Sequence, residues 1–133
     1  MELQDIDIPY ACDDGTLTED TLIHSLGQLA YEASVALNRS LHVAPTYKDL
    51  LAKAGFIDIV ERQFKWPIGI WPKDKYYKEL GYWAYTNIEF GMEGLFMALF
   101  TRGLGWTKEE VLIFCAQARA GLRDTSVHAY IPM

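Results

Sequence analysis

The sequence predicts a single α/β domain over residues 1–133, in which four to five helices cover about three strands. Three observations carry this. Half of the residues are apolar and 23% are charged, a balance that closes a core. Apolar residues recur at helical spacing through long stretches, and they alternate only in short ones. The short alternating stretches lie near both ends and in the middle, separated by helices, which is the order of a layered α/β arrangement with few strands.

Glu2–Ile8 reads as a strand stopped by Pro9, which has no amide to donate to a ladder, and Asp13-Asp14-Gly15 follows as a turn. Thr18 is placed as the N-cap of the first helix, which carries Leu22, Leu26, Leu29, Ala33 and Leu37 on one face. Thr46 is placed as the cap of a second, shorter helix ending at Gly55. From Phe56 to Trp66 the period changes: Val60, Phe64 and Trp66 alternate with Glu61, Gln63 and Lys65, so a strand with one solvated face is expected. The two prolines of Pro67–Pro72 break regular structure and put Trp71 in a loop. Lys73–Thr101 is a long helical stretch with Leu80, Trp83, Ala84, Ile88, Leu95, Ala98 and Leu99 at helical intervals, and a kink or close packing is expected at Gly91 and Gly94. Gly103 ends it. Thr107 and Glu110 form a capping box for a last helix with a stripe of Val111, Phe114, Cys115, Ala118 and Leu122, and His128–Ile131 is a final strand.

A three-stranded sheet is thin, and its end strands leave edges without neighbours. Together with the apolar stripe from Leu80 to Leu99, these edges predict self-association or a partner chain. Charge is uneven. Residues 1–38 hold eight acids and no Lys or Arg, against twelve basic and ten acidic residues in the rest. The net charge of −6 with no dense basic patch argues against nucleic acid, and no stretch approaches the roughly 20 apolar residues of a membrane span. Cys12 and Cys115 stand far apart with no CxxC spacing, as suits a reducing cytoplasmic or nuclear compartment. Twelve of the eighteen aromatic residues fall between Phe64 and Trp106, where they line a pocket for a flat apolar ligand or, for most of them, serve as core and interface.

Chemical motifs are sparse. No glycine-rich turn joins the first strand to the first helix, Gly103-Leu104-Gly105 is a helix stop, and the acidic loop lacks the pattern of a calcium site. No metal is expected. His24, His42 and His128 are without surrounding motifs, Cys115 with His128 reads more readily as core than as a nucleophile pair, and Asp5 and Asp7 share a face of the opening strand. Trp83, Asn87 and Phe90 share a helix face at i, i+4 and i+7, with Tyr10 placed to close the same space. These four are the candidate substrate-binding residues. Asn87 either orients a ligand there or bonds a neighbouring carbonyl while the rings pack as core.

Several stretches, taken in order, resemble the fungal LaeA-like methyltransferases, which are class I S-adenosylmethionine-dependent enzymes associated with secondary metabolism. They include Asp13-Asp14-Gly15-Thr16-Leu17-Thr18, Ala44-Pro45-Thr46-Tyr47-Lys48, Lys65-Trp66-Pro67-Ile68-Gly69, Trp71-Pro72-Lys73-Asp74, Lys78-Glu79-Leu80-Gly81, Leu104-Gly105-Trp106 and His128-Ala129-Tyr130. The resemblance covers nearly the whole chain and implies the C-terminal, acceptor-side part of such an enzyme. It implies a partial Rossmann-like fold: the opening strand as fifth, Phe56–Trp66 as sixth, and His128–Ile131 as the start of an antiparallel seventh. Without the glycine-rich half, the implied function is an acceptor-binding lobe that neither binds S-adenosylmethionine nor methylates alone, and that works with a cofactor-binding partner on an apolar or aromatic small molecule. Two alternatives stand beside it. One is a cofactor-independent isomerase or cyclase using Asp5, Asp7 or His24, and the other is a non-catalytic interaction module.

Overall fold

The computed structural model describes residues 1–133. Its body is three mutually packed helices, α1 (Leu22–Ala36), α3 (Lys75–Gly103) and α4 (Lys108–Leu122), while α2 (Tyr47–Lys53), entered through a 3-10 turn at Ala44–Thr46, lies apart from that packing. Strands β1 (Lys65–Pro67) and β2 (Tyr130–Pro132) pair antiparallel, with Trp66 opposite Ile131, and α3 lies against β1. The fold is α/β, as the sequence predicts. No helix is long and apolar enough to cross a membrane.

The spine is α3, whose 29 residues extend about 43 Å at 1.5 Å per residue. Asp74 caps it by accepting from the amides of Tyr76 and Tyr77. Ile88, Met92, Phe96 and Phe100 recur at every fourth position, and all four are buried. Because a turn holds 3.6 residues, a four-residue step winds slowly round the helix, so one stripe meets different neighbours along its length. Phe100 lies at the end of this stripe, stacked on Phe96 at 5.3 Å and facing Trp106 and Phe114 at 5.3 and 5.8 Å, which closes the α3–α4 corner. Further along α4, Arg119 donates to Glu93 at 2.9 Å and Arg123 to Glu89 at 2.5 Å. The capping box of α4 is present: Thr107 Oγ1 accepts from the Glu110 amide, and Glu110 Oε2 accepts from the Thr107 amide.

Two glycines set the packing distance. A Cβ on Gly81 would stand 2.0 Å from the carbonyl oxygen of Gly69, and one on Gly103 would stand 2.6 Å from that of Ala33. The Pro67–Pro72 loop thus rests on the backbone of α3, and the Gly69 amide donates to the Gly81 carbonyl at 3.0 Å.

Several boundaries differ from those the sequence predicts. The N-cap of α1 is Thr21, whose Oγ1 accepts from the His24 amide, because Thr18 forms a preceding turn and accepts from the Thr21 amide. Thr46 makes no side-chain cap and donates its hydroxyl to Val43. Helix α3 runs through Gly91 and Gly94 as one element, and Gly94 has open space where a Cβ would stand. The sheet is shorter than three full strands. Residues 2–8 form no strand: the Asp7 amide donates to Pro132 at 2.8 Å and Ala11 exchanges both bonds with Tyr130, but nothing pairs with Glu2–Ile6. Phe56–Trp66 likewise contracts to Lys65–Pro67, and the final strand begins at Tyr130. The physical reason is common to both. A strand needs a neighbour for its amides and carbonyls, and residues 2–6 and 57–63 have none, the pairing being confined to the stretch around β2 from Ala129 to Met133.

Gly81→Ala is expected to destabilise by at least about 2 kcal/mol, as overpacking against backbone does. Gly94→Ala is expected to stabilise by about 0.5–1 kcal/mol through helix propensity alone. Urea unfolding followed by circular dichroism reads both. A Gly81→Ala protein as stable as the parent would show that the loop lifts off α3 at no cost.

Candidate functional site

The antiparallel pairing places β2 between two parallel neighbours, the Asp7–Ala11 segment and β1. Their carboxyl ends therefore point the same way, and open α/β sheets bind ligands at that end. Three stretches meet there: Cys12–Thr16, which leaves the opening segment; Ile68–Trp71, which leaves β1; and His128, which leads into β2.

Asp14 is the centre of the cluster. Its Oδ1 accepts from the Cys12 thiol at 2.9 Å and from the Thr16 hydroxyl and amide at 2.8 and 3.1 Å, while its Oδ2 pairs with Nδ1 of His128. Thr16 Oγ1 in turn accepts from the His128 amide at 2.8 Å, so imidazole and main chain are held together. Trp71 stacks on the imidazole with centroids 4.8 Å apart, and its indole donates to the Ala129 carbonyl at 3.1 Å. The hydrogen bond from Cys12, followed by those from His128 and Thr16, holds the Asp14 carboxyl far below the usual range. Beside it, Asp13 accepts from Lys65 at 2.5 Å and from the Tyr130 hydroxyl at 2.8 Å, and the Lys65 bond is the main cause of its lowered pKa. Burial, and secondarily the bond to Asp13, pushes the Tyr130 phenol up.

This arrangement has a definite chemical capacity. With Nδ1–H donated to Asp14, a neutral His128 carries its lone pair on Nε2, in the manner of a general base oriented by a carboxylate. The side chain of His128 is 36% exposed, within reach of a ligand on the rim.

The other candidate residues fall elsewhere. Trp83, Asn87 and Phe90 share one face of α3, as their spacing predicts, and that face is open: Trp83 is 60% and Phe90 84% exposed, with Asn87 exposed between them. Asn87 therefore carries no desolvation cost of the kind that made it conspicuous in the sequence. Tyr10 lies half-buried at the end of the opening segment, with its ring against Gly27 of α1 and its phenol pKa raised by burial. Asp5 and Asp7 take separate partners. Asp5 accepts from the Tyr47 hydroxyl at 2.5 Å, and Asp7 pairs with His42 at 2.8 Å. Cys115 is buried on α4, its thiol pushed up by burial, whereas His128 is engaged with Asp14. His24 is half-buried on α1. The sequence offers His128 as one of three histidines and beside Cys115, but gives no local signal for Asp14 as its partner, although both stretches belong to the resemblance.

A concavity of about 750 Å³ opens between residues 1–7, α2 and residues 56–65. Most of its two long walls, residues 2–6 and 57–63, lacks backbone partners, and Ile57 and Val60 on one of them are 84% and 78% exposed. It is a seam in the sheet, at the end away from the rim.

Asp14 also sets a pH dependence. A carboxyl with a depressed native pKa contributes its full stability above its ordinary value of 3.8 and loses it as pH falls toward the native value. Asp14→Asn is expected to lower the urea midpoint at pH 6, and the difference from the parent is expected to shrink steadily below pH 4. Parallel acid limbs for the two proteins would show that the cluster does not contribute.

Known proteins match the chain along its whole length. It is 32% identical over 133 residues to "Probable methyltransferase tdiE" of Emericella nidulans, covering 100% of the chain and 42% of that protein. It is 34% identical over 130 residues to "Methyltransferase pytC" of Aspergillus terreus, covering 97% of the chain and 40% of that protein. To "Secondary metabolism regulator LAE1" of Cochliobolus heterostrophus it is 31% identical over 131 residues, covering 98% of the chain and 43% of that protein. No family model matches the chain, and no solved structure does. The chain thus spans less than half the length of these relatives. Along its full length the chain is similar to these fungal proteins, matching about two fifths of each.

Proposed function

We propose that the chain is the acceptor-binding lobe of a methyltransferase of secondary metabolism, and that it binds S-adenosylmethionine and supports methyl transfer only with a cofactor-binding partner. The observation that carries this is the Asp14–His128 pair under Trp71, at the carboxyl rim of two parallel extended segments. The residues present do not fit the cofactor. No glycine-rich turn lies between the opening segment and α1, and the two acids of that turn are taken by Lys65, Tyr130 and His128, which leaves neither free for a ribose. What these residues do suit is the acceptor. Trp71 provides an apolar wall, and His128 Nε2 takes the proton from an acceptor hydroxyl or similar acidic group while Asp14 stabilises the imidazolium. Tyr10, in the segment that leads to this rim, is proposed as a further acceptor contact, whereas Trp83, Asn87 and Phe90 form a surface that serves a partner better than a small molecule. That open surface favours a second reading, an interaction module, in which the rim cluster is purely structural.

Calorimetric titration of the chain with S-adenosylmethionine is expected to give no saturable heat, and saturable micromolar binding would overturn the proposal. Joined to the remaining portion of the tdiE protein, in place of that protein's own C-terminal part, the chain is expected to support methyl transfer. His128→Gln is then expected to reduce the rate by about 10²-fold or more, the usual contribution of a general base. A chimera whose rate is unaffected by His128→Gln, at unchanged thermal stability, would leave the cluster a structural knot.

A further inference from the structure

The Asp14–His128 pair does not fix itself. Its two side chains are 46% and 36% exposed, and an ion pair so open to water contributes little against solvent competition and side-chain entropy. A base nevertheless has to keep its lone pair on Nε2, which requires the proton on Nδ1, whereas a neutral imidazole free in water favours the opposite tautomer. Which nitrogen carries the proton is set by the bond the other one makes. A further group is therefore needed to hold carboxylate and histidine in one frame.

Thr16 supplies that frame. Asp14 Oδ1 accepts from the Thr16 amide two residues on at 3.1 Å, a turn closed over Gly15 at φ 77°, where glycine carries no steric cost. The turn sends the Thr16 side chain toward the start of β2, and branching at Cβ restricts its χ1. Its hydroxyl then has one assignment. The proton goes to Asp14 Oδ1 at 2.8 Å, because the carboxyl of Asp14 is held ionised and cannot donate. A lone pair takes the His128 amide at 2.8 Å, because an N–H cannot accept. With the Cys12 thiol at 2.9 Å, Oδ1 holds three donors, which leaves Oδ2 for Nδ1 of His128.

We infer that Thr16 is the positioning residue of the rim: one hydroxyl joins the main chain of His128 to the carboxylate that orients its ring, and so selects the tautomer with Nε2 free. This role rests on the reading of His128 as the base that takes the acceptor's proton. Thr16 makes no hydrogen bond to the ring and acts through Asp14. Trp71 restrains the same histidine in a different way. It stacks on the face of the imidazole and bonds the Ala129 carbonyl, and neither contact distinguishes Nδ1 from Nε2.

Long-range proton–nitrogen NMR of the chain reads the tautomer directly, without substrate or cofactor. At about pH 8, above the ordinary imidazole range, the His128 signals, assigned by their loss in His128→Gln, are expected to show a protonated Nδ1 and a bare Nε2. Thr16→Val keeps the branched shape and removes the hydroxyl, and it is expected to shift His128 toward the form protonated on Nε2. Thr16→Ser is expected to restore the parent pattern. His42, whose Nδ1 pairs with Asp7 at 2.8 Å, is the internal control and is expected to keep its pattern throughout. Should Thr16→Val lose the helical circular dichroism of the parent, Thr16→Ala carries the same expectation. An unchanged His128 tautomer in the folded variant, or a Thr16→Ser protein that fails to restore it, would overturn the role of Thr16 and leave it a structural staple. A chimera indifferent to His128→Gln would overturn only the reading of His128 as a base, since the tautomer is measured without turnover.

Discussion

Burial of the stripe from Ile88 to Phe100 on α3 is the condition on which the rest of the fold depends. The sheet provides a ladder of three residue pairs and cannot support a core by itself. What closes the interior is a helix long enough to serve several neighbours in turn. Phe100 at one end meets Trp106 and Phe114 of the α4 corner, and Gly81 at the other admits the Pro67–Pro72 loop to backbone contact. Fully burying side chains of this size contributes about 1.5–3 kcal/mol each, which outweighs the handful of ladder hydrogen bonds at about 1 kcal/mol apiece.

The loop held on Gly81 is also the loop that delivers Trp71 to His128. The close approach of two backbones, possible only without a Cβ, therefore fixes one wall of the rim, and the Asp14 network fixes the other. Asp14 ties the turn after the opening segment to the residue that leads into β2, so the two flanks of the sheet are joined by side chains where the ladder is too short to join them. The same hydrogen bonds that join the flanks of the sheet also hold the imidazole of His128 at the rim. The depressed pKa of Asp14 expresses that: its charge is satisfied locally and remains so well into the acid range.

The molecule presents two apolar surfaces of different kinds. Along residues 2–6 and 57–63 the main-chain amides and carbonyls lack main-chain partners, which calls for an extended neighbour. On α3 the main chain is satisfied within the helix, and the unmet groups are side chains, which call for another helix or a flat partner.

The sequence by itself determined the local features. The capping box at Thr107 and Glu110, the long helix from the Asp74 region to Gly103, the turn at Asp13-Asp14-Gly15 and the shared face of Trp83, Asn87 and Phe90 all depend on residues a few positions apart, and such patterns survive in one dimension. The family resemblance extended this to the order of extended segments, with the last one antiparallel. Tertiary structure alone decided which side of α3 faces inward, because Leu80, Trp83 and Leu95 are as apolar as Ile88, Met92 and Phe96, and only the placement of α1 and α4 distinguishes them. It likewise decided the strand lengths, since pairing requires a neighbour that no local pattern reveals. The site belongs to the same class: Asp14 and His128 are separated by 114 residues, and their hydrogen bond exists only because β2 threads between the opening segment and β1.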